Sequence, residues 1–133
     1  MANAMNFNER LMKYLMIFVG ISGCFSVLFG AWLAHAGQAF TLHEQSSLHT
    51  ALQYQLFHTL ALLAALVWAI SKSSTTVLIT ACVAFFLGIV LFSGTIYIKT
   101  FFSIVIIGKL TPFGGISLAI AWGLLSLEGI KKL

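Results

Sequence analysis

Four histidines, three tyrosines and two cysteines hold most of the reactive chemistry open to this chain, and their spacing decides which reactions can be considered. His35, His43, His49 and His58 follow one another at intervals of eight, six and nine. No HxxxH or HxxH pair therefore sets two imidazoles on one helix face for a metal. A haem bridged by His35 and His58 is compatible with a helical bundle, but nothing in the spacing selects it, and no metal or cofactor is predicted. Cys24 and Cys82 stand alone in apolar runs, which rules out CxxC redox chemistry and reads as two buried small hydrophobes. No GxSxG turn surrounds any serine, Asp is absent, and no Ser-His-carboxylate set can be assembled. No catalytic residue is predicted, and the chain is not expected to be an enzyme.

The elements that must position these groups follow from charge and hydropathy. Residues are 60% hydrophobic and 8% charged, and the mean hydropathy is +1.03. No water-facing surface can be built from that supply, so the bilayer is the solvent. Four apolar runs, at about 14–34, 52–70, 76–97 and 112–127, are separated by short segments holding nearly every charge. The first, about 21 residues long, reaches about 31 Å at helical rise, enough to cross the hydrocarbon. Arg10 and Lys13 before it and Ala34-His35-Ala36 after it imitate a secretory leader, but the run exceeds an h-region of about 7–15 residues and is read as a span. The expectation is a single multi-pass domain over 1–133, an all-α integral membrane bundle of four transmembrane helices.

Local signals refine that outline. Thr41-Leu42-His43-Glu44 is a Thr-x-x-Glu capping box after Gly37, a plausible C-cap, so a helix should start near Leu42. Leu42 to Thr50 is too polar for hydrocarbon, so it either lies in the interface or projects as an extension of span two, and a short interfacial helix bending into the second span is the favoured expectation. Thr100 to Gly108 is apolar but too short to cross, and should lie on the surface or enter shallowly. Pro112 fits the first turn of the last helix. Gly20, Gly23 and Gly30 in span one, Ala84 and Gly88 in span three, and Gly115, Ala119 and Gly123 in span four recur at helical spacing and predict close helix packing.

The net charge of +4 would suggest nucleic acid in a soluble protein. Here the cations sit at the ends of apolar runs, so membrane lipids are the expected partners and nucleic acid is not. Arg10, Lys13, Lys72, Lys131 and Lys132 fall on one side against Lys99 and Lys109 on the other, which places both termini in the cytoplasm. The three acids, Glu9, Glu44 and Glu128, are at run boundaries, so no carboxylate relay through the membrane is expected.

Alternating spans bring the end of span one, the start of span two, the end of span three and the start of span four to one side. The unusual polar residues are there: His35; Gln53, Tyr54, Gln55 and His58; Ser93 and Tyr97; Thr111 with Gly114 and Gly115. Tyr54 and His58 are four apart, as are Ser93 and Tyr97, so each pair shares a helix face. One reading is interhelical hydrogen bonding, worth about 0.6 kcal/mol per bond on average. The other is a binding site for a lipid headgroup, quinone or other small amphipathic ligand, made by His35, Tyr54, His58, Ser93, Tyr97, Thr111, Gly114 and Gly115, with the glycine-rich helix start attracting an anionic group.

These same positions carry a resemblance. Gly30-Ala31-Trp32-Leu33-Ala34-His35, Thr50-Ala51 through Tyr54 to His58, Phe92-Ser93-Gly94-Thr95-Ile96-Tyr97, Thr111-Pro112-Phe113-Gly114-Gly115 and Trp122 look like the small membrane proteins of domain-of-unknown-function family 423, the YgdD-like and transmembrane protein 256-like proteins. Leu33 before Ala34-His35 departs from that family's usual Gly-Ala-His. The resemblance implies a multi-pass protein, chiefly of the inner membrane, with no settled activity. A non-enzymatic accessory protein that forms a homo-oligomer or joins a larger membrane complex through its Gly and Ala faces is the leading expectation.

Overall fold

The computed structural model describes residues 3–72 and 74–133, which run as four helical passes long and apolar enough to cross a membrane. Helix α1, Phe7–His35, starts at a capping box in which Asn6 accepts from the Glu9 N–H and the Glu9 carboxylate accepts from the Asn6 N–H. A 3₁₀ turn, Ala36–Ala39, follows. Gly37 is not a left-handed cap, since no described glycine has positive φ. It is small because a Cβ there would lie 2.5 Å from Leu33 Cδ1. Leu33, the departure from the family pattern, is buried at 3% exposure.

Helix α2, Leu42–Ser71, begins at the predicted box, with Thr41 Oγ1 accepting from the Glu44 N–H and Glu44 accepting from the Thr41 N–H. It is continuous, so no break divides the expected interfacial segment from the second span. Leu42 to Thr50 is the first part of the second pass, held in line because Leu48 and Ala51 are wholly buried in the bundle. Thr41→Ala is expected to cost about 1 kcal/mol, seen as a lower midpoint in thermal unfolding followed by circular dichroism in detergent.

The third pass is composite: α3, Thr76–Ile89, a π-helical turn, Val90–Gly94, and α4, Thr95–Phe102. The chain then reverses at Ser103, φ 56°, the only described non-glycine residue with positive φ. Thr100 to Gly108 is thereby divided between the last turn of α4 and an exposed 3₁₀ turn, Val105–Leu110. Helix α5, Thr111–Lys132, carries Pro112 in its first turn, where a missing N–H breaks no bond.

Packing selects one face of each helix. On α1 the buried residues are Leu15, Val19, Ser22, Ser26, Phe29 and Leu33, at steps of four and three. The predicted stripe lies elsewhere: nothing described stands within 4 Å of a Cβ placed on Gly20 or Gly23, and only Gly30 touches another helix, at Leu52 of α2. In the membrane, hydroxyls gain by turning inward to acceptors while glycine loses nothing in lipid, so the serines took the interface. Helix α5 buries Gly114, Leu118, Ala121 and Glu128 rather than Gly115, Ala119 and Gly123. Against it α3 presents Ala84 and Gly88: the Ala84 carbonyl accepts from Ser117 Oγ at 2.8 Å, and a Cβ on Gly88 would overlap the Leu118 side chain. Leu62, Leu66, Leu78 and Phe85 fill the centre. The outer surface stays apolar, with Ile21, Val27, Leu28, Leu60 and Phe113 each more than half exposed. Water would not tolerate such a surface, whereas lipid requires it.

Candidate functional site

The polar residues do gather towards one end of the bundle, but they divide around α2 into three groups. The first lies between α1, α2 and α4. Tyr97 donates its phenol to Gln55 Oε1 at 2.7 Å, and Gln55 Nε2 donates to Ser22 Oγ at 3.0 Å. Ser22 Oγ is 2.7 Å from Thr59 Oγ1, and Ser26 Oγ donates to the Ser22 carbonyl. Gln55, Ser22, Ser26 and Thr59 are all buried. Helical spacing builds this chain: Ser22 and Ser26 are one turn apart on α1, as are Gln55 and Thr59 on α2.

The second group lies on the other side of α2. His58 Nδ1 donates to the Tyr54 carbonyl of its own helix at 2.6 Å. Its neighbours are aromatic: Tyr54 at 5.5 Å, Phe85 at 6.2 Å and Trp122 at 6.2 Å between ring centroids. Tyr54 in turn stacks on Phe92 at 4.4 Å. The imidazole is thus an edge in an aromatic cluster joining α2, α3 and α5.

The third group surrounds the π-helical turn. The extra residue in that turn breaks the ordinary i→i−4 ladder, and Ser93, 1% exposed, donates across to the Ala51 carbonyl of α2 at 2.6 Å. Thr95 Oγ1 lies 2.7 Å from Thr111 Oγ1 and ties the turn to the start of α5. A Cβ on Gly114 would sit 2.6 Å from the Leu91 carbonyl carbon and closer still to Phe92 N. Backbone therefore rests on backbone here, and only glycine fits. Gly115 has ordinary clearance, its nearest neighbour being Phe92 Cδ2 at 3.8 Å.

Of the eight predicted ligand residues, Tyr97, Ser93, Thr111 and Gly114 thus end on other protein groups, and Tyr54 and His58 on an aromatic cluster. His35 is exposed at the end of α1, with no hydrogen bond to its ring among the described residues. Among the described residues, no three His, Cys, Asp or Glu side chains converge as a metal would need. Cys82 is buried as expected, but Cys24 is exposed, facing lipid from α1. Spacing alone passed over Ser22, Ser26, Thr59 and Thr95. For three of them the signal was a polar pair four apart in an apolar run, Ser22 with Ser26 and Gln55 with Thr59.

Beside the third group a cleft of about 620 Å³ opens between the start of α2, the end of α4 and the 3₁₀ turn, lined by His43, Glu44, Ser47, Lys99 and Ser103 among others. Thr111 is the one predicted ligand residue in its wall. At the same end, Phe25, Phe29, Trp32, Phe40, Tyr97 and Phe101 form a continuous set of ring contacts running from the buried Phe29 to the exposed surface, in keeping with an aromatic belt at a membrane interface.

Comparison with known proteins agrees with this architecture. The family described as "Protein of unknown function (DUF423)" matches residues 29–115. The Bacillus subtilis UPF0382 membrane protein YwdK is 33% identical over 123 residues, covering 92% of this chain and 100% of its own. The Escherichia coli UPF0382 inner membrane protein YgdD is 33% identical over 120 residues, 90% of this chain and 91% of its own. A Haemophilus influenzae UPF0382 membrane protein is 36% identical over 122 residues, 90% and 95% of the two chains. No solved structure matches the chain.

Proposed function

The chain belongs to the membrane protein family of unknown function 423, and from that premise we propose that it is a non-enzymatic accessory protein of the inner (plasma) membrane. In this reading both termini are cytoplasmic and the protein associates with a second copy of itself. The observation that carries it is that the polar layer is spent internally. Among the described residues no buried side-chain nitrogen or oxygen lacks a hydrogen-bond partner, so the buried part of the layer is taken up by other protein groups.

Self-association is assigned to the outer face of α1, where Gly20, Cys24, Val27 and Ala31 follow at steps of four, three and four and are all exposed. Small residues let a second backbone approach closely, which drives helix pairing where lipid and side chain are equally apolar. Cys24 is a built-in reporter. Copper-phenanthroline oxidation of native membranes is expected to give a covalent dimer that disappears in Cys24→Ser and weakens in Gly20→Leu. A species that stays monomeric under oxidation and in mild detergent, with no co-purifying partner, would overturn the reading. Monomer plus a stoichiometric partner would instead place the protein in a larger membrane complex.

A second reading, binding of a lipid headgroup, quinone or other small amphipathic ligand beside the polar layer, is supported by the 620 Å³ cleft and the opposite charges of Glu44 and Lys99 in its wall. Native mass spectrometry decides it. Retained ligand that is lost on Lys99→Gln favours binding, and bare protein from native membranes counts against it.

A further inference from the structure

At the opposite end of the bundle, α1 and α2 part to leave an open groove of about 810 Å³ that plays no role in the polar layer. Its floor is apolar, formed by Met12, Met16 and Ile17 of α1 with Ala69 and Ile70 of α2. Ile17 and Ile70 are each about half exposed, so the floor continues without a break into the lipid-facing surface. Two ammonium groups stand at the rim, Lys13 one residue before the apolar run and Lys72 at the C-cap of α2. The one acid in the wall, Glu9, already has its carboxylate on the Asn6 N–H in the capping box.

We propose that this groove seats an anionic phospholipid of the surrounding membrane, its phosphate between Lys13 and Lys72 and an acyl chain along Met16, Ile17 and Ile70. A freely dissolved anion would use the lysines and leave the apolar floor in contact with water. A zwitterionic lipid would bring a quaternary amine to a rim that already has an excess of positive charge. An anionic phospholipid satisfies both parts at once: its charge meets the two ammonium groups at headgroup depth, and its chains cover the floor. The site lies at the other end of the molecule from the cleft beside Thr111, and its Lys13 and Ile17 continue the α1 face assigned to self-association towards the N-terminus.

The full chain, purified in detergent and stripped of lipid, is titrated with dioleoyl-phosphatidylglycerol or dioleoyl-phosphatidylcholine and read by native mass spectrometry. Two basic side chains near the headgroup predict about thirtyfold stronger retention of phosphatidylglycerol. That preference is expected to vanish in Lys13→Gln/Lys72→Gln, to survive in Lys13→Arg/Lys72→Arg, and to survive in Lys131→Gln/Lys132→Gln, which removes the same charge on the same side but outside the groove. Equal retention of the two lipids by the unmodified protein would overturn the proposal, as would equal losses in the two Gln pairs or displacement by inorganic phosphate. A preference lost only in Lys99→Gln/Lys109→Gln would also overturn it, by moving the lipid to the opposite cleft.

Discussion

Gly114→Ala is expected to lower the stability by about 3 kcal/mol or more and cut accumulation of folded protein several-fold, while Gly115→Ala, one residue further on, is expected to leave both unchanged. The added methyl at 114 would meet Leu91 and Phe92 backbone atoms of the π-helical turn, and these cannot swing aside as a side chain can. Overpacking a core commonly costs about 1–3 kcal/mol, and a clash between two backbones lies at or beyond the top of that range. Against a total stability of about 5–15 kcal/mol, that loss is a large share of the margin and lowers abundance in the membrane several-fold. At 115 the same methyl would find Phe92 Cδ2 at 3.8 Å, ordinary contact. Gly94 supplies the control within the turn itself: nothing described lies within 4 Å of its missing Cβ. Gly94→Ala should stabilise slightly, by about 0.5–1 kcal/mol, through reduced backbone entropy. Size-exclusion profiles and thermal midpoints of the three variants in one detergent check the order.

Gln55→Leu is expected to be the most damaging change within the hydrogen-bonded layer, at about 1–3 kcal/mol. One side chain there serves two helices, accepting from Tyr97 of α4 and donating to Ser22 of α1. Its loss leaves a phenol without its acceptor and a serine without its donor, and unsatisfied buried groups cost more than an average bond contributes. Tyr97→Phe removes a single bond and should cost about 0.6 kcal/mol, the usual figure between membrane helices. Because the two residues share one bond, the double variant should be less destabilised than the sum of the singles. Steric-trap or reversible detergent unfolding of the four proteins measures that coupling. Strict additivity would mean that the Tyr97–Gln55 bond contributes nothing.

The sequence carried the passes plainly because composition leaves a 133-residue chain of this hydropathy no other solvent than lipid. Helix starts were legible where a side chain marks them, as at Thr41 and Glu44, and the equivalent Asn6 and Glu9 could have been read by the same rule. Which face of a helix turns inward was much less legible. Gly20 and Gly23 predicted one face of α1, and Ser22 and Ser26 occupy another, because in an apolar chain both sets have helical period and only the α2 partners of Ser22, Gln55 and Thr59, break the tie. The π-helical turn had no sequence signature of its own. It nonetheless explains why Phe92-Ser93-Gly94 and Thr111 to Gly115 occur together: one motif makes the irregular turn and the other lies against its backbone. The candidate ligand residues were expected together at one end of the bundle, and their separation by α2 into three groups depended on rotation about each helix, which spacing along one chain does not fix.

The central claim is that the polar layer fastens helices and holds no substrate. A density map of the protein in lipid taken from its own membrane tests it most directly. The account predicts the Tyr97 phenol on Gln55, Ser93 on the Ala51 carbonyl, and no organic density between α1, α2 and α4. A bound molecule inserted between Tyr97 and Gln55, with Ser22 turned towards it, would contradict it.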